Sequence, residues 1–268
     1  MAQPPIVTLT TDFGLADSYV GIIKGVILRI CPNAHLVDLS HLVPPQDIAT
    51  GALLLRQAAP YFPSDTIHLA VVDPGVGGNR LPVAVSTSSG TFVAPDNGLL
   101  TAVLPVDMAG VRAVHLNRPQ FWMPTLHPTF HGRDIFAPVA AYLAAGATLL
   151  SVGESIPPED LIRLPWPTPI RTGDQIFGEV THTDHFGNLI TNIDGALLAD
   201  FGGTRISLAG VDIGALVQTY SDRGPGEPAA YMGSSGLLEI AVVDCNAAQV
   251  LGAGRGTPVV LRGLHRRV

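Results

Sequence analysis

The feature that most constrains the fold is an alternation of strand-like and helix-like segments over the first 73 residues. Runs of β-branched and other apolar residues predict strands, and apolar residues spaced three and four apart predict amphipathic helices. The order is strand, helix, strand, helix, strand, at residues 6–10, 17–31, 35–40, 47–59 and 66–73. This order predicts a mostly parallel sheet covered by helices, with Asp17 or Ser18 as N-cap of the first helix and Asp47 as N-cap of the second.

Beyond this region the pattern changes, and the change predicts two domains. Prolines cluster and the periodicity lapses between residues 155 and 172. Before that segment we expect two further strands and a helix, at 81–86, 91–96 and 135–147. After it, short apolar runs separated by turns are typical of a small β-barrel or sandwich. The predicted fold class is therefore α/β, with an N-terminal α/β domain over residues 1–160 and a smaller C-terminal all-β barrel domain over residues 170–268.

Composition excludes several classes of protein. The chain is 47% hydrophobic and 14% charged, which favours a sizeable core over disorder. Its net charge is −7, and the basic cluster at Arg262–Arg267 is interpreted as a solvated tail, so we expect no nucleic-acid partner. No segment reads as a membrane span or a secretion signal, so we expect no membrane partner and a cytoplasmic protein. Cys31 and Cys245 belong to no CxxC pair and predict inert thiols.

Four short segments concentrate polar residues and glycine between apolar runs: TDFGLAD (11–17), DPGVGGNR (73–80), PTFHGRD (128–134) and TDHFGN (183–188). Asp12 and Asp73 follow predicted parallel strands, whose carboxyl ends commonly form a ligand-binding edge. Arg80 can hold the Asp73 carboxylate charged and oriented, although a plain turn with a surface arginine is the other interpretation. His131 is either a packed loop histidine or a general base or water-orienting donor.

The TDHFGN segment has two interpretations as well. A turn rich in Asp, Asn and Gly is one. The other is a purine pocket in which Phe186 stacks on the base and the Asn188 amide both donates to and accepts from the adenine edge. His182 and His185 form an HxxH pair beside Asp184, but the chain has no HExxH, no CxxC and no GxSxG segment. We therefore expect neither a metal nor a cofactor.

Seven segments, in order along the chain, resemble the S-adenosyl-L-methionine (SAM) hydroxide adenosyltransferases, or SAM hydrolases, a family related to fluorinases and chlorinases. They are TDFGLADSYVGIIKGVI, VPPQDIATGALLL, VVDPGVGGNR, APDNGLL, PTFHGRDIFAPVAA, TDHFGNLITNI and GSSGLLEIAVV. The resemblance implies hydrolysis of the substrate SAM to adenosine and L-methionine. It also implies a homotrimer whose sites lie between the N-terminal domain of one subunit and the C-terminal domain of the next.

The resemblance assigns roles to individual residues. It implies catalytic roles for Asp73, Arg80 and His131, with water attacking the ribose C5′ carbon. The implied substrate-binding residues are Asp12 for the ribose hydroxyls, Asp17 and Asp184 for the methionine ammonium, Ser234 for its carboxylate, Phe186 and Tyr220 for the adenine faces, and Asn188 and the Ala247 backbone for the adenine edge.

Departures from the fluorinases bear on the nucleophile. Fluorinases carry tyrosine at the position of Asp73, Tyr-Ser at His131-Gly132, an arginine at Ser235, and a loop insertion of about twenty residues that this chain lacks. A carboxylate beside the attack site repels halide but accepts a proton from water. Three alternatives remain open: a halide-dependent, chlorinase-like adenosyltransferase, a non-catalytic SAM or adenosine binding protein, and a methyltransferase. The methyltransferase is disfavoured because TDFGLAD holds one glycine only.

Overall fold

The computed structural model describes residues 3–198, 201 and 203–263. The chain separates into two units, Met1–Leu164 and Pro165–Val268. Most of the basic cluster at the end of the chain lies outside the described residues. Among the described helices, none combines the length and apolar character that crossing a membrane requires.

The first unit contains a seven-stranded sheet with helices on both faces. Its elements are β1 Ile6–Thr11, α1 Tyr19–Ile30, β2 His35–Ser40, α2 Ile48–Ala58, β3 Ile67–Val71, β4 Pro82–Thr87, β5 Gly90–Pro95, β6 Arg112–His115, α3 Ala137–Ala144, α4 Leu149–Val152 and β7 Glu154–Ile156. The strand order across the sheet is β2-β1-β3-β5-β4-β6-β7. Short turns of 3-10 helix connect several elements, and a π-helical turn, Gly132–Phe136, leads into α3.

The sheet is mixed, so the prediction of a mostly parallel sheet is wrong. The pairs β1–β2, β1–β3 and β3–β5 are parallel, whereas β4–β5, β4–β6 and β6–β7 are antiparallel. The change of direction occurs at a hairpin in which Thr87 pairs with Gly90. Two residues separate that pair, and a connection so short can join only antiparallel neighbours. The two helical crossovers, α1 and α2, therefore connect only the parallel strands β1, β2 and β3.

Alternation along the strands explains why helices cover both faces. On β4, Ala84 packs into the core beneath α1 and α3, whereas Val83 and Val85 pack into the core beneath α2. The predicted Asp47 cap is confirmed, because its carboxylate accepts a hydrogen bond from the Thr50 backbone N–H at 3.0 Å. The side chain of Ser18, which precedes α1, makes no capping bond.

In its described residues, the second unit consists of an antiparallel sheet with one short α-helix. Its elements are β8 Ile170–Thr172, β9 Gln175–Thr183, β10 Leu189–Asp194, β11 Thr204–Leu208, β12 Val211–Ala215, β13 Pro228–Met232, β14 Leu237–Val242, α5 Ala247–Leu251 and β15 Pro258–Gly263. The main strand path runs β12-β11-β15-β9-β10-β14-β13. Leu216, just after β12, bridges Ala230 of β13, so the two ends of the path meet and the sheet is nearly barrel-shaped. The sequence predicted an all-β domain, whereas the structure adds the five-residue helix α5 to the strands.

Candidate active site

In the first unit, two acids lie beyond the carboxyl ends of neighbouring strands. Thr11 at the end of β1 pairs in parallel with Val71 at the end of β3, so Asp12 and Asp73 follow at the same edge of the sheet. Both line a cleft of about 330 Å³, together with His131. The Asp12 carboxylate accepts a hydrogen bond from the Gln46 backbone N–H at 2.9 Å. The loop after β2 thereby fixes the orientation of that carboxylate.

Asp73, Arg80 and His131 are joined through the guanidinium group. Arg80 Nε donates to Asp73 Oδ1 at 2.9 Å, and a terminal nitrogen of Arg80 donates to Asp73 Oδ2 at 2.5 Å. The same terminal nitrogen contacts His131 Nδ1 at 2.9 Å. The side chains of Asp73 and Arg80 are only 5% and 7% exposed. Burial and two-point contact make this a charge-assisted pair with little freedom to rotate.

The contact with Arg80 determines which imidazole nitrogen carries hydrogen. A guanidinium has no acceptor, so His131 Nδ1 must be unprotonated to receive the Arg80 N–H. The pKa of His131 is lowered, first by burial and then by the Arg80 charge, while Asp73 and Asp134 act in the opposite direction. The ring is therefore held neutral with its hydrogen on Nε2. In that state His131 offers the cleft a hydrogen-bond donor.

A glycine allows the loop that carries Arg80 to reach the loop that carries His131. Gly77 has φ +76°, and a Cβ atom there would lie 2.5 Å from the carbonyl oxygen of Pro128. Only glycine fits such a close backbone approach at a positive φ. On the other side, the Asn97 side chain donates to the Val72 carbonyl at 2.9 Å and braces the residue before Asp73.

Other residues of these segments have different surroundings. Asp17 is exposed in the bend before α1 and is not among the residues that line this cleft. Asp134 is buried, pairs with Arg133, and accepts a hydrogen bond from the His127 backbone N–H at 2.8 Å. Its role is structural, since it ties together the loop that leads to His131.

The second unit has a larger cleft, of about 650 Å³, lined by Phe186, Asn188, Tyr220 and residues 242–246. Phe186 is 74% exposed and Tyr220 is 43% exposed, so two aromatic faces are open to a ligand. The neighbouring turn is ordered by Asp184, whose Oδ1 accepts from the backbone N–H groups of Phe186 and Asn188 at 2.9 and 2.8 Å. This is an Asx-type arrangement, in which a carboxylate replaces a backbone acceptor.

A second close approach joins this turn to the loop before α5. Gly187 has φ +89°, and a Cβ atom there would lie 2.2 Å from Asn246 Cγ. Asn246 in turn caps α5 by accepting from the Gln249 backbone N–H at 2.9 Å. Ala247, the first residue of α5, is fully buried directly behind this contact. Ser234 lies in the exposed turn between β13 and β14 and is not among the lining residues of the cleft.

A chain of side-chain hydrogen bonds leads from the cleft into the sheet. Asn188 Nδ2 donates to Asp184 Oδ2 at 2.9 Å and to the Tyr220 hydroxyl at 3.5 Å. The Tyr220 and Tyr231 hydroxyls lie 2.5 Å apart, and the Tyr231 hydroxyl donates to Glu239 Oε2 at 3.0 Å. Burial raises the pKa of both Tyr231 and Glu239, and the nearby Asp184 charge raises that of Glu239 further.

Sequence reasoning missed Tyr231 and Glu239. The available signal was an acid inside the otherwise apolar run LLEIAVV, where a lone carboxylate needs a partner. In the described region, the HxxH pair, His182 and His185, is not part of a larger group of possible metal ligands. Among residues 3–198, 201 and 203–263, no three His, Cys, Asp or Glu side chains form a group that could hold a metal ion.

Comparison with known proteins agrees with this architecture. Residues 7–153 match the family model for the SAM hydroxide adenosyltransferase N-terminal domain, and residues 178–260 match that for the C-terminal domain. A protein of Salinispora tropica named (R)-S-adenosyl-L-methionine hydrolase is 42% identical over 257 residues, which cover 96% of this chain and 97% of the relative. A Thermus thermophilus protein of the same name is 41% identical and covers 94% of this chain and 97% of its own.

More distant relatives are similar over most of the chain too. A fluorinase of Actinoplanes sp. is 31% identical over 271 aligned residues, covering 88% of this chain and 90% of the relative. The crystal structure of an uncharacterized conserved protein from Thermotoga maritima superposes with a TM-score of 0.87 at 36% identity, covering 96% of this chain and 99% of that chain. The chain belongs to the SAM hydroxide adenosyltransferase family, which confirms the resemblance seen in the sequence.

Proposed function

We propose that this chain is an enzyme that hydrolyses SAM to adenosine and L-methionine. The observation that carries the proposal is the buried Asp73–Arg80–His131 group at the edge of a cleft in the first unit. A binding protein needs no such group beside its ligand, whereas buried ionisable side chains that interact with one another in a cleft are typical of catalytic sites. Relatives at 41–42% identity that are named (R)-S-adenosyl-L-methionine hydrolase support the same reaction.

The proposed step is an in-line displacement at the ribose C5′ carbon. The oxygen of a water molecule bonds to C5′, the C5′–S bond breaks, and methionine leaves as a neutral thioether that needs no protonation. Asp73 accepts the proton that the water loses. His131 donates from Nε2 to the water oxygen and aligns it, which follows from the tautomer that Arg80 imposes. Alignment contributes up to ~7–11 kcal/mol and base assistance about 10²–10⁴ in rate.

Substrate recognition involves both units. In the proposal, Asp12 binds the vicinal ribose hydroxyls, because the two oxygens of a carboxylate suit a diol. Asp17 and Asp184 bind the methionine ammonium and Ser234 binds its carboxylate. Phe186 and Tyr220 enclose the adenine, and its edge contacts Asn188 and the Ala247 backbone. No metal or other cofactor takes part.

We also propose a homotrimer whose sites combine the first unit of one subunit with the second unit of the next. A complementation experiment tests this arrangement. Asp73→Asn and Phe186→Ala variants are co-expressed, purified as mixed oligomers and assayed at a SAM concentration well below the wild-type KM, where each variant alone is weakly active. Shared sites would restore activity in the mixture, because some sites then contain only unaltered residues. Activity no higher than the average of the two variants, or a monomeric mass by light scattering, would contradict the shared site.

The reaction itself is tested by incubating the purified protein with SAM in oxygen-18 water, with and without chloride, and analysing the products by mass. Adenosine labelled at its 5′ oxygen is the expected product under both conditions. A chlorinated nucleoside would identify a halide-dependent enzyme, which the Asp73 carboxylate disfavours because it repels halide. SAM recovered intact would favour the non-catalytic binding protein. In that case adenosine should still protect the exposed Cys245, which lines the larger cleft, from thiol reagents.

A further inference from the structure

We propose that Glu239 and Tyr231 are positioning residues that make Asn188 an acceptor-only contact and thereby select a 6-amino purine over a 6-oxo purine. The proposal rests on the proposed function in one respect, namely that the ligand of the larger cleft is an adenine nucleoside. Neither residue lines the cleft. Their effect is transmitted through the Tyr220 hydroxyl, which lies between Tyr231 and Asn188.

The direction of each bond follows from counting hydrogens. A tyrosine hydroxyl has one hydrogen, and Oε2 of Glu239 is the acceptor in its bond with the Tyr231 hydroxyl. Tyr231 gives its hydrogen to Glu239, so Tyr220 must be the donor in the bond between the two hydroxyls. The Tyr220 oxygen can then only accept, and its neighbour Nδ2 of Asn188 supplies the hydrogen.

At the other end of this series of hydrogen bonds, Asp184 imposes the same orientation on the Asn188 amide. Asp184 Oδ2 accepts from Nδ2 at 2.9 Å, and rotating the amide would bring two acceptor oxygens together. Both amide hydrogens are thus committed within the protein, one to Asp184 and one to Tyr220. From its sequence, Asn188 was expected to donate as well as accept, but with both hydrogens of Nδ2 engaged only Oδ1 remains available to a ligand.

An acceptor-only contact discriminates at purine position 6. Adenine carries an amino group there and can donate to Oδ1. Hypoxanthine carries a carbonyl oxygen, so two acceptors would face each other and one buried polar group would remain unpaired. A missing hydrogen bond in a desolvated site opposes binding more strongly than the made bond favours it. The chain from Glu239 to Asn188 therefore acts as a base-specificity device.

The test measures dissociation constants for adenosine and inosine by calorimetry on the full-length protein. The wild type should prefer adenosine by at least about tenfold. Tyr231→Phe removes the acceptor of the Tyr220 hydrogen, and Glu239→Leu removes the acceptor of the Tyr231 hydrogen. Either change lets a hydroxyl hydrogen turn towards Asn188 and should lower the adenosine preference by about 3- to 10-fold. Glu239→Gln keeps an acceptor oxygen and should retain most of the preference.

Controls separate specificity from folding. Tyr61→Phe and Glu179→Leu make the same chemical changes as Tyr231→Phe and Glu239→Leu at other positions and should leave the ratio unchanged. A purely structural role for Tyr231 and Glu239 predicts that both nucleosides bind more weakly by the same factor, and that result would overturn the proposal. So would an unchanged ratio in both Tyr231→Phe and Glu239→Leu while the wild type still hydrolyses SAM. A wild type that neither binds adenosine nor consumes SAM would instead overturn the proposed function.

Discussion

The two clefts of this protein are built by different means. The cleft of the first unit lies at the carboxyl ends of parallel strands, and its charged groups are buried and paired. The cleft of the second unit lies among turns of an antiparallel sheet, and its aromatic side chains are exposed. Rigid buried charge suits a chemical step, whereas open aromatic faces and directed hydrogen bonds suit recognition. Changes in the Asp73–Arg80–His131 group should therefore lower kcat, and changes to the aromatic residues of the second cleft should raise KM.

The largest expected effect comes from Asp73→Asn. The amide cannot accept the proton of water, so kcat should fall by about 10²–10⁴ while the KM for SAM changes little. Steady-state kinetics with SAM measures both constants. Asp65→Asn, at an exposed position of the same unit, is the matched control. Thermal unfolding of the variant checks the fold, because Arg80 loses its charged partner. A KM effect with an unaltered kcat would reverse the roles given to the two clefts.

A smaller effect is expected from Phe186→Ala. Base–aromatic stacking is worth ~1–3 kcal/mol per base, so KM should rise by about 5- to 160-fold with kcat within a factor of about three. The same kinetics measures the change. Phe177→Ala removes an exposed phenylalanine from a strand of the same unit and should leave KM as it is. If kcat fell as far as KM rose, the second cleft would have to contribute to the chemical step.

Two glycine substitutions, one beside each cleft, test whether the clefts differ in their effects on kcat and KM. Gly77→Ala forces a Cβ against the Pro128 carbonyl and should separate Arg80 from His131, which lowers kcat by about tenfold. Gly187→Ala forces a Cβ into Asn246 and should distort the larger cleft, which raises KM by a similar factor. Both variants also lose about 1–3 kcal/mol of unfolding free energy from the positive φ.

The matched controls for these variants are Gly110→Ala and Gly210→Ala. Their φ angles are +72° and +85°, but a Cβ atom at either position meets nothing within 4 Å. They carry the same backbone strain without the collision, so chemical denaturation should show similar losses of stability while kcat and KM stay unchanged. Equal kinetic defects in the control variants would mean that strain alone, and not the close approach, disturbs the clefts.

The smallest expected effect is on the pH profile. The pKa of His131 is lowered by burial and by Arg80, so the neutral ring persists below the usual histidine value of about 6.5. As pH falls through that lowered pKa, Nδ1 gains a proton, the Arg80 contact is lost, and kcat/KM declines. Arg80→Gln removes one cause of the lowering and should move this acid limb to higher pH. Phe186→Ala should leave the acidic limb of the kcat/KM profile at the same pH. A shift of that limb in Phe186→Ala would mean that the two clefts are coupled.

Much of the fold follows from sequence patterns that are local. The helix after Asp47 and the strands β1, β2 and β3 lie close to their predicted positions, because caps and apolar periodicity involve neighbouring residues. The sheet direction after β3 was missed, because it depends on the hairpin between Thr87 and Gly90.

In the site as well, features that depend on neighbouring residues could be predicted, whereas features that depend on distant residues could not. Asp12 and Asp73 could be expected at one edge from strand order alone. The tautomer of His131 could not, because it depends on an arginine 51 residues away in the chain. The chain from Asn188 to Glu239 could not either, since it crosses from a turn to two strands. Sequence patterns indicate which residues are polar and close to strand ends, but hydrogen-bond direction emerges only from three-dimensional partners.

The Asp73–Arg80 pair is bidentate, and both of its side chains are buried in the folded protein. The free-energy cost of removing these two charges from water therefore arises during folding and does not recur in each catalytic cycle. In the proposed reaction, a pair held in this way needs no reorganisation when substrate binds, which is the condition for electrostatic preorganisation. Catalytic competence and the integrity of the first unit are consequently linked: a substitution that merely loosens this packing should slow turnover at temperatures well below the melting transition.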